Sequence, residues 1–173
     1  FELISRDYAR KAYVRIDTLA MKPLQAAIHL FRKNMIEAKR LRDEKALAVF
    51  EDQYFRAQAL ECLYETLRNT AVWIYAVHEY LETREAKQKA RCRKLLDVMI
   101  GREINNSQKL IRLWAEAPIE WMYVSDFGET PFIYGPNFPE LLQKRIDLMK
   151  KHRKDEPSID PGYMFRVAED PYK

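Results

Sequence analysis

The stretch LAVFEDQYFRAQALECLYETLRNTAVWIYAVHEYL, residues 47–81, decides the fold. Leu47, Phe50, Tyr54, Ala57, Glu61, Tyr64, Leu67, Ala71, Ile74, His78 and Leu81 follow steps of three and four. That is the period of a helix, and sustained over several heptads it makes a seam for long antiparallel neighbours. No glycine or proline interrupts it. Alternation with a period of two never lasts more than a few residues anywhere in the chain, so strands are not expected.

Working outward, the same period recurs. Thr83 is placed to cap a following helix, whose stripe is Cys92, Leu96, Met99, Glu103, Asn106, Leu110 and Leu113. Pro118 stops it. Upstream, 3–19 reads as a helix with Leu3, Ile4, Tyr8, Ala12 and Leu19 near one face. Pro23 suits the first turn of a new helix, where the missing N–H is not needed. That helix runs to about Arg42 on Leu24, Ala27, Phe31, Met35 and Ala38. The boundary near Asp43–Glu44 carries no Gly or Pro signal. A last helix, about 139–154, places Leu141, Leu142, Ile146 and Met149 inward, with Asn137 as its cap. The fold class expected is all-α: a bundle of four to five long antiparallel helices, an aromatic-rich loop at 118–138 and an extended C-terminal tail at 155–173.

Composition agrees. The 173 residues contain only four glycines, which favours long helices over tight turns. Apolar residues at 47% are enough to build a core, so one domain is expected over 1–173. The chain starts at Phe1, and a domain cut from a longer protein is the expectation. No apolar run is long enough to span a membrane.

A hairpin turning near Arg84 sets Cys62 opposite about residue 106 and Cys92 opposite about residue 76. At ~1.5 Å per residue the thiols stand roughly 20 Å apart, too far to bridge. Both read as small buried apolar groups.

The chemistry-bearing patterns are few. Glu61, Glu103 and Asn106 fall on facing seams and could meet in the core. Paired bundle carboxylates hold metals when joined by Glu-x-x-His motifs. None of His29, His78 or His152 stands three residues after a glutamate. The competing reading is a hydrogen-bonded cluster that fixes helix register. A bundle enzyme would have to use Glu61, Glu103 and His78. No phosphate-binding glycine loop and no GxSxG occurs. No cofactor is implied.

The basic runs Lys87, Lys89, Arg91, Arg93, Lys94 and Lys150, Lys151, Arg153, Lys154 alternate with apolar residues and have acids nearby. A net charge of +4 is mild, and a solvated face is expected in preference to a nucleic-acid surface.

The stretch from Trp114 to Phe138 differs from the rest. Trp121, Tyr123, Phe127, Phe132 and Tyr134 stand among Asp126 and Glu129. Aromatic faces pack on sugar C–H surfaces and carboxylates accept hydroxyl hydrogens, so these seven residues are the candidate ligand site. Large aromatics also serve as a lid over helix ends, and they fit a dimer face equally well.

SDFGETPFIYGPNFPELLQKRIDLM (125–149) and EPSIDPGYMFRV (156–167) resemble the C-terminal helical regions of large bacterial proteins similar to glycoside hydrolases. The resemblance covers the last third of the chain. It implies a non-catalytic accessory domain of a carbohydrate-processing protein, packed on a catalytic domain or touching glycan. A periplasmic or secreted setting goes with it, and a cytoplasmic one without it. The alternative is a free-standing helical module that binds protein or nucleic acid.

Overall fold

The computed structural model of the chain describes residues 5–117 and 137–159. Among them every regular element is helical, in the order α1 (Arg6–Arg15), a π-helical turn (Ile16–Met21), α2 (Lys22–Leu41), α3 (Glu44–Glu82), α4 (Ala86–Glu116) and α5 (Phe138–His152). The fold is an all-α helical bundle.

Ser5 starts α1 by accepting from the Tyr8 amide at 3.2 Å. The chain does not break before Pro23. Met21 keeps helical angles (φ −65°, ψ −46°), and Pro23 falls in the first turn of α2. Pro23 has no N–H to continue an α-helical ladder, and the wider π turn stands just before it. Tyr8 and Leu19, both expected inward, are 65% and 68% exposed. Ala9 and Met21 are buried instead, and Tyr13 packs on the core.

The α2–α3 corner uses chemistry that needs neither glycine nor proline. Arg42 adopts the left-handed conformation at φ 55°. Its amide bonds the Lys39 carbonyl at 3.3 Å and the Asp43 amide bonds the Ala38 carbonyl at 3.0 Å, a Schellman ending. Asp43 then caps α3, its carboxylate accepting from the Ala46 amide at 3.0 Å.

With 39 residues, α3 is the spine. The α1–π–α2 rod runs antiparallel along one side: Arg6 meets Glu79, Asp17 meets Arg68 and Gln25 meets Glu61. On the other side α4 also runs antiparallel, with Gln88 on Glu79 and Asn106 on the Cys62 carbonyl at 2.9 Å. That last bond is the register expected from a turn near Arg84. Helix α5 packs on α4, antiparallel again, through Trp114–Phe138, Glu103–Arg145 and Asp97–Arg153.

A helix covered on two sides cannot present one stripe. Val72, Ala76 and Val77 form the core with Leu96 and Met99, though none of the three lies on the expected α3 stripe. Each large side chain buried there contributes roughly 1.5–3 kcal/mol. Leu67 and Leu81, expected inward, are exposed. The α4 stripe holds: Cys92, Leu96, Met99, Glu103, Asn106 and Leu113 are buried and Leu110 is half-buried.

Two caps differ from expectation. Thr83 ends α3, and its hydroxyl accepts from the Glu85 amide at 3.2 Å, so it turns the hairpin without capping α4. Asn137 holds the N-cap position of α5 without a side-chain bond. On α5, Phe138, Leu142 and Ile146 are buried and Leu141 is exposed. Beyond α5 the chain leaves helical form, and Glu156 accepts from the Tyr80 hydroxyl and from Arg93. Cys62 and Cys92 are free and buried. No described helix is long and apolar enough to cross a membrane.

Candidate functional site

The polar residues of the α3 and α4 seams form one hydrogen-bonded chain across four helical elements. It begins on the π turn, where Asp17 accepts from Arg68 Nε at 2.7 Å. Arg68 Nη1 donates onward to Asn69 Oδ1 at 3.0 Å. Asn69 Nδ2 donates to Glu103 at 2.7 Å and to Glu65 at 3.3 Å. Glu103 also accepts from the Thr66 hydroxyl at 2.7 Å and from Arg145 of α5 at 2.6 Å. Glu65 is gripped by both arms of Arg102, at 2.7 and 2.9 Å, and this bond holds the Arg102 pKa above its ordinary value. Asn106 joins through Thr66 at 3.0 Å.

The helical period builds this cluster. Glu65 and Asn69 are one turn apart on α3, and Glu103 and Asn106 are three apart on α4. Asn69, Glu103 and Asn106 are all buried, and a buried carboxylate survives only when its oxygens are satisfied. Three donors do so at Glu103. Through Glu103 the cluster ties α3, α4 and α5 together.

The third member of the expected trio goes elsewhere. Glu61 pairs with Lys109 and accepts from Gln25 at 3.1 Å. His78 is half-buried, 17 residues further along α3 and therefore about 25 Å away. Glu61, Glu103 and His78 thus form no common site. Among the described residues no group of three His, Cys, Asp or Glu converges to hold a metal ion.

Two grooves flank the polar chain. One, of about 460 Å³, lies between α3, α4 and α5 with Trp73, Met99, Ile100, Leu148 and Met149 as walls. Its polar floor is Asn69, Glu103 and Arg145, already engaged with one another. The second, of about 270 Å³, opens beside the π turn between α2, α3 and α4. Its lining residues are polar apart from Met21 and include Gln25, Glu61, Glu65, Asn105, Asn106 and Lys109, with polar tips and carbon stems sharing the exposed surface.

The basic runs of α4 and α5 meet at one end of the bundle. Arg153 pairs with Asp97 at 2.6 Å, Arg93 pairs with Glu156, and Lys89 and Arg93 lie over the Tyr80 ring. Trp121, Tyr123, Asp126, Phe127, Glu129, Phe132 and Tyr134 lie outside the described residues.

Sequence reading found Glu103 and Asn106 but not Asn69, Glu65, Arg102 or Arg145. Those residues flank the apolar stripes, where a polar side chain looks like an ordinary exposed one. The available signal was the i, i+4 pair Glu65–Asn69 opposite Glu103 in the same register that placed residue 106 on Cys62.

No family model, curated protein or solved structure matches this chain.

Proposed function

We propose that this chain is a non-catalytic accessory helical domain of a carbohydrate-processing protein. It supports a neighbouring catalytic domain or contacts glycan through the aromatic stretch at 118–138. The observation that carries the reading is the clamp at the base of that stretch. Trp114 near the end of α4 packs on Phe138 at the start of α5, ring centroids 5.0 Å apart. Both ends of the intervening segment therefore spring from one rigid base, the arrangement that suits a binding loop on a scaffold. The seam acids add support, because Glu103 accepts from three donors and Glu65 is clamped by Arg102.

The test is oligosaccharide binding by calorimetry, together with glycoside hydrolysis. Binding without hydrolysis is expected. Trp121→Ala and Tyr134→Ala should each weaken oligosaccharide binding about tenfold while the helical circular dichroism signal stays intact. An unchanged oligosaccharide affinity in both variants would sink the glycan-contact reading.

One observation favours a second reading, a helical interaction module. Leu60, Leu63 and Leu67 form an exposed stripe on α3 at helical spacing. Such a stripe suits a partner helix or a second copy of the chain. Sedimentation equilibrium of wild type and Leu63→Glu tests the second-copy form: a dimer that the substitution dissociates supports it, and a monomer at all concentrations removes it.

A further inference from the structure

A π turn of six residues in the middle of a helical rod is uncommon, and such turns recur at functional sites. Here Ile16–Met21 re-aims the rod just where the second groove opens. Met21, the last residue of the turn, is buried and lines the groove. One turn later Gln25 reaches across to Glu61 at 3.1 Å.

The lining has three properties that together define an occupant. First, it carries no net charge. Glu61 is neutralised by Lys109 and Glu65 by Arg102, so a charged ligand would meet its own sign already compensated. Second, it keeps spare hydrogen-bonding capacity of both kinds. The Asn105 side chain makes no hydrogen bond among the described residues, and its amide offers donors and an acceptor. The side-chain oxygens of Asn106 and Gln25 accept none there, because each residue bonds only through its amide nitrogen. Third, Met21 is its only apolar residue, and the rest of its carbon surface belongs to the stems of polar side chains, which suits the C–H edges of a small ring lying among hydrogen-bonding groups. The volume of about 270 Å³ falls just below the roughly 300–1,000 Å³ of drug-sized sites, which limits the occupant to something small.

The geometry points to the groove between α2, α3 and α4 as a binding site for a small, neutral, polyhydroxylated ligand: a single sugar ring or a short polyol. Vicinal hydroxyls donate to the Gln25 and Asn106 oxygens and to the outer lone pairs of Glu61, which has only two donors of its own. They accept from Asn105 and from the remaining Lys109 protons. This inference does not rest on the accessory-domain reading, since different substitutions disable the groove and the 118–136 segment.

The test is ligand-observed NMR followed by calorimetry. The probes are glucose, galactose, mannose and N-acetylglucosamine as rings, and glycerol, sorbitol and inositol as polyols, with glucuronate and glucosamine as charged counterparts. At least one neutral probe should saturate, with an affinity that does not change with salt. The ring and polyol arms separate the two sources of the same chemistry. Asn105→Ala and Gln25→Ala should each weaken binding about tenfold, the loss expected for one or two hydrogen bonds. Both side chains are exposed, so the melting temperature serves as the folding control. Trp121→Ala should leave this binding unchanged. Three results would overturn the site: no neutral probe binding, binding that persists in the Asn105→Ala/Gln25→Ala double variant, or tighter binding of a charged counterpart.

Discussion

Arg145 on α5 donates to Glu103 on α4 at 2.6 Å, and this contact ties the last helix to the buried polar chain of the bundle. Glu103 is buried, while the Arg145 side chain is 38% exposed. The two partners therefore differ in what their loss does. Arg145→Ala leaves the carboxylate two neutral donors and a route to water, for a cost of about 1–2 kcal/mol. Glu103→Ala leaves Asn69 and Thr66 without their acceptor in the core and opens a cavity, for about 3–4 kcal/mol. Urea unfolding should rank the two variants in that order. Equal losses would mean that α5 alone, not the buried chain, depends on Glu103.

Cys62 supplies a pH test of the same interior. Burial raises its thiol from 9.0 to about 11, opposed by the positive charge of Lys109. A folded-state pKa above the unfolded value gives stability that is full below pH 9 and lost as pH rises through 11. The loss is on the order of 2 kcal/mol. Comparing wild type with Cys62→Ala between pH 8 and 11 isolates it, because only wild type should carry this slope. At pH 8 a thiol reagent should leave Cys62 untouched until urea opens the fold. Rapid labelling of native Cys62 would contradict its burial.

How far the sequence could be read depended on how each helix is covered. Helix α4 buries its expected face, so its stripe was legible down to Glu103 and Asn106. Helix α3 lies between neighbours on two sides. A single stripe there missed Val72, Ala76 and Val77 and misplaced Leu67 and Leu81. The π turn was not legible, because one widened turn leaves no compositional mark. The second groove was hidden for a related reason. Gln25 on α2, Glu61 on α3 and Lys109 on α4 are separated by 36 and 48 residues, and only the register of three helices joins them.

The α2–α3 corner has an unusual residue at its left-handed position. Arg42 takes φ 55°, where a Cβ crowds the backbone and glycine is preferred. Its side chain is exposed. Arg42→Gly should stabilise the protein by about 0.5–1 kcal/mol, since the native strain is relieved by more than the added freedom of the unfolded chain costs. Arg42→Ala should give no such gain, because alanine keeps the Cβ. A destabilised glycine variant, measured by thermal or urea unfolding, would mean that the Arg42 side chain makes an interaction that offsets the strain.

Gly101 presents the opposite case. It lies inside α4, where glycine lacks helix propensity and nothing in the backbone geometry calls for it. A Cβ built there meets Arg153 Nη2 at 3.6 Å, an ordinary contact with the far end of a flexible side chain. Arg153 can keep its 2.6 Å bond to Asp97 while giving way slightly. Gly101→Ala should therefore add about 0.5–1 kcal/mol, read as a rise of about 2–4 °C in melting temperature for each kcal/mol in a chain of this size. The gain should persist in Arg153→Ala, because it comes from the helix and not from the α4–α5 contact. A loss in both backgrounds would place α5 closer to α4 than this packing allows. A loss only when Arg153 is present would identify the guanidinium as the group that cannot move.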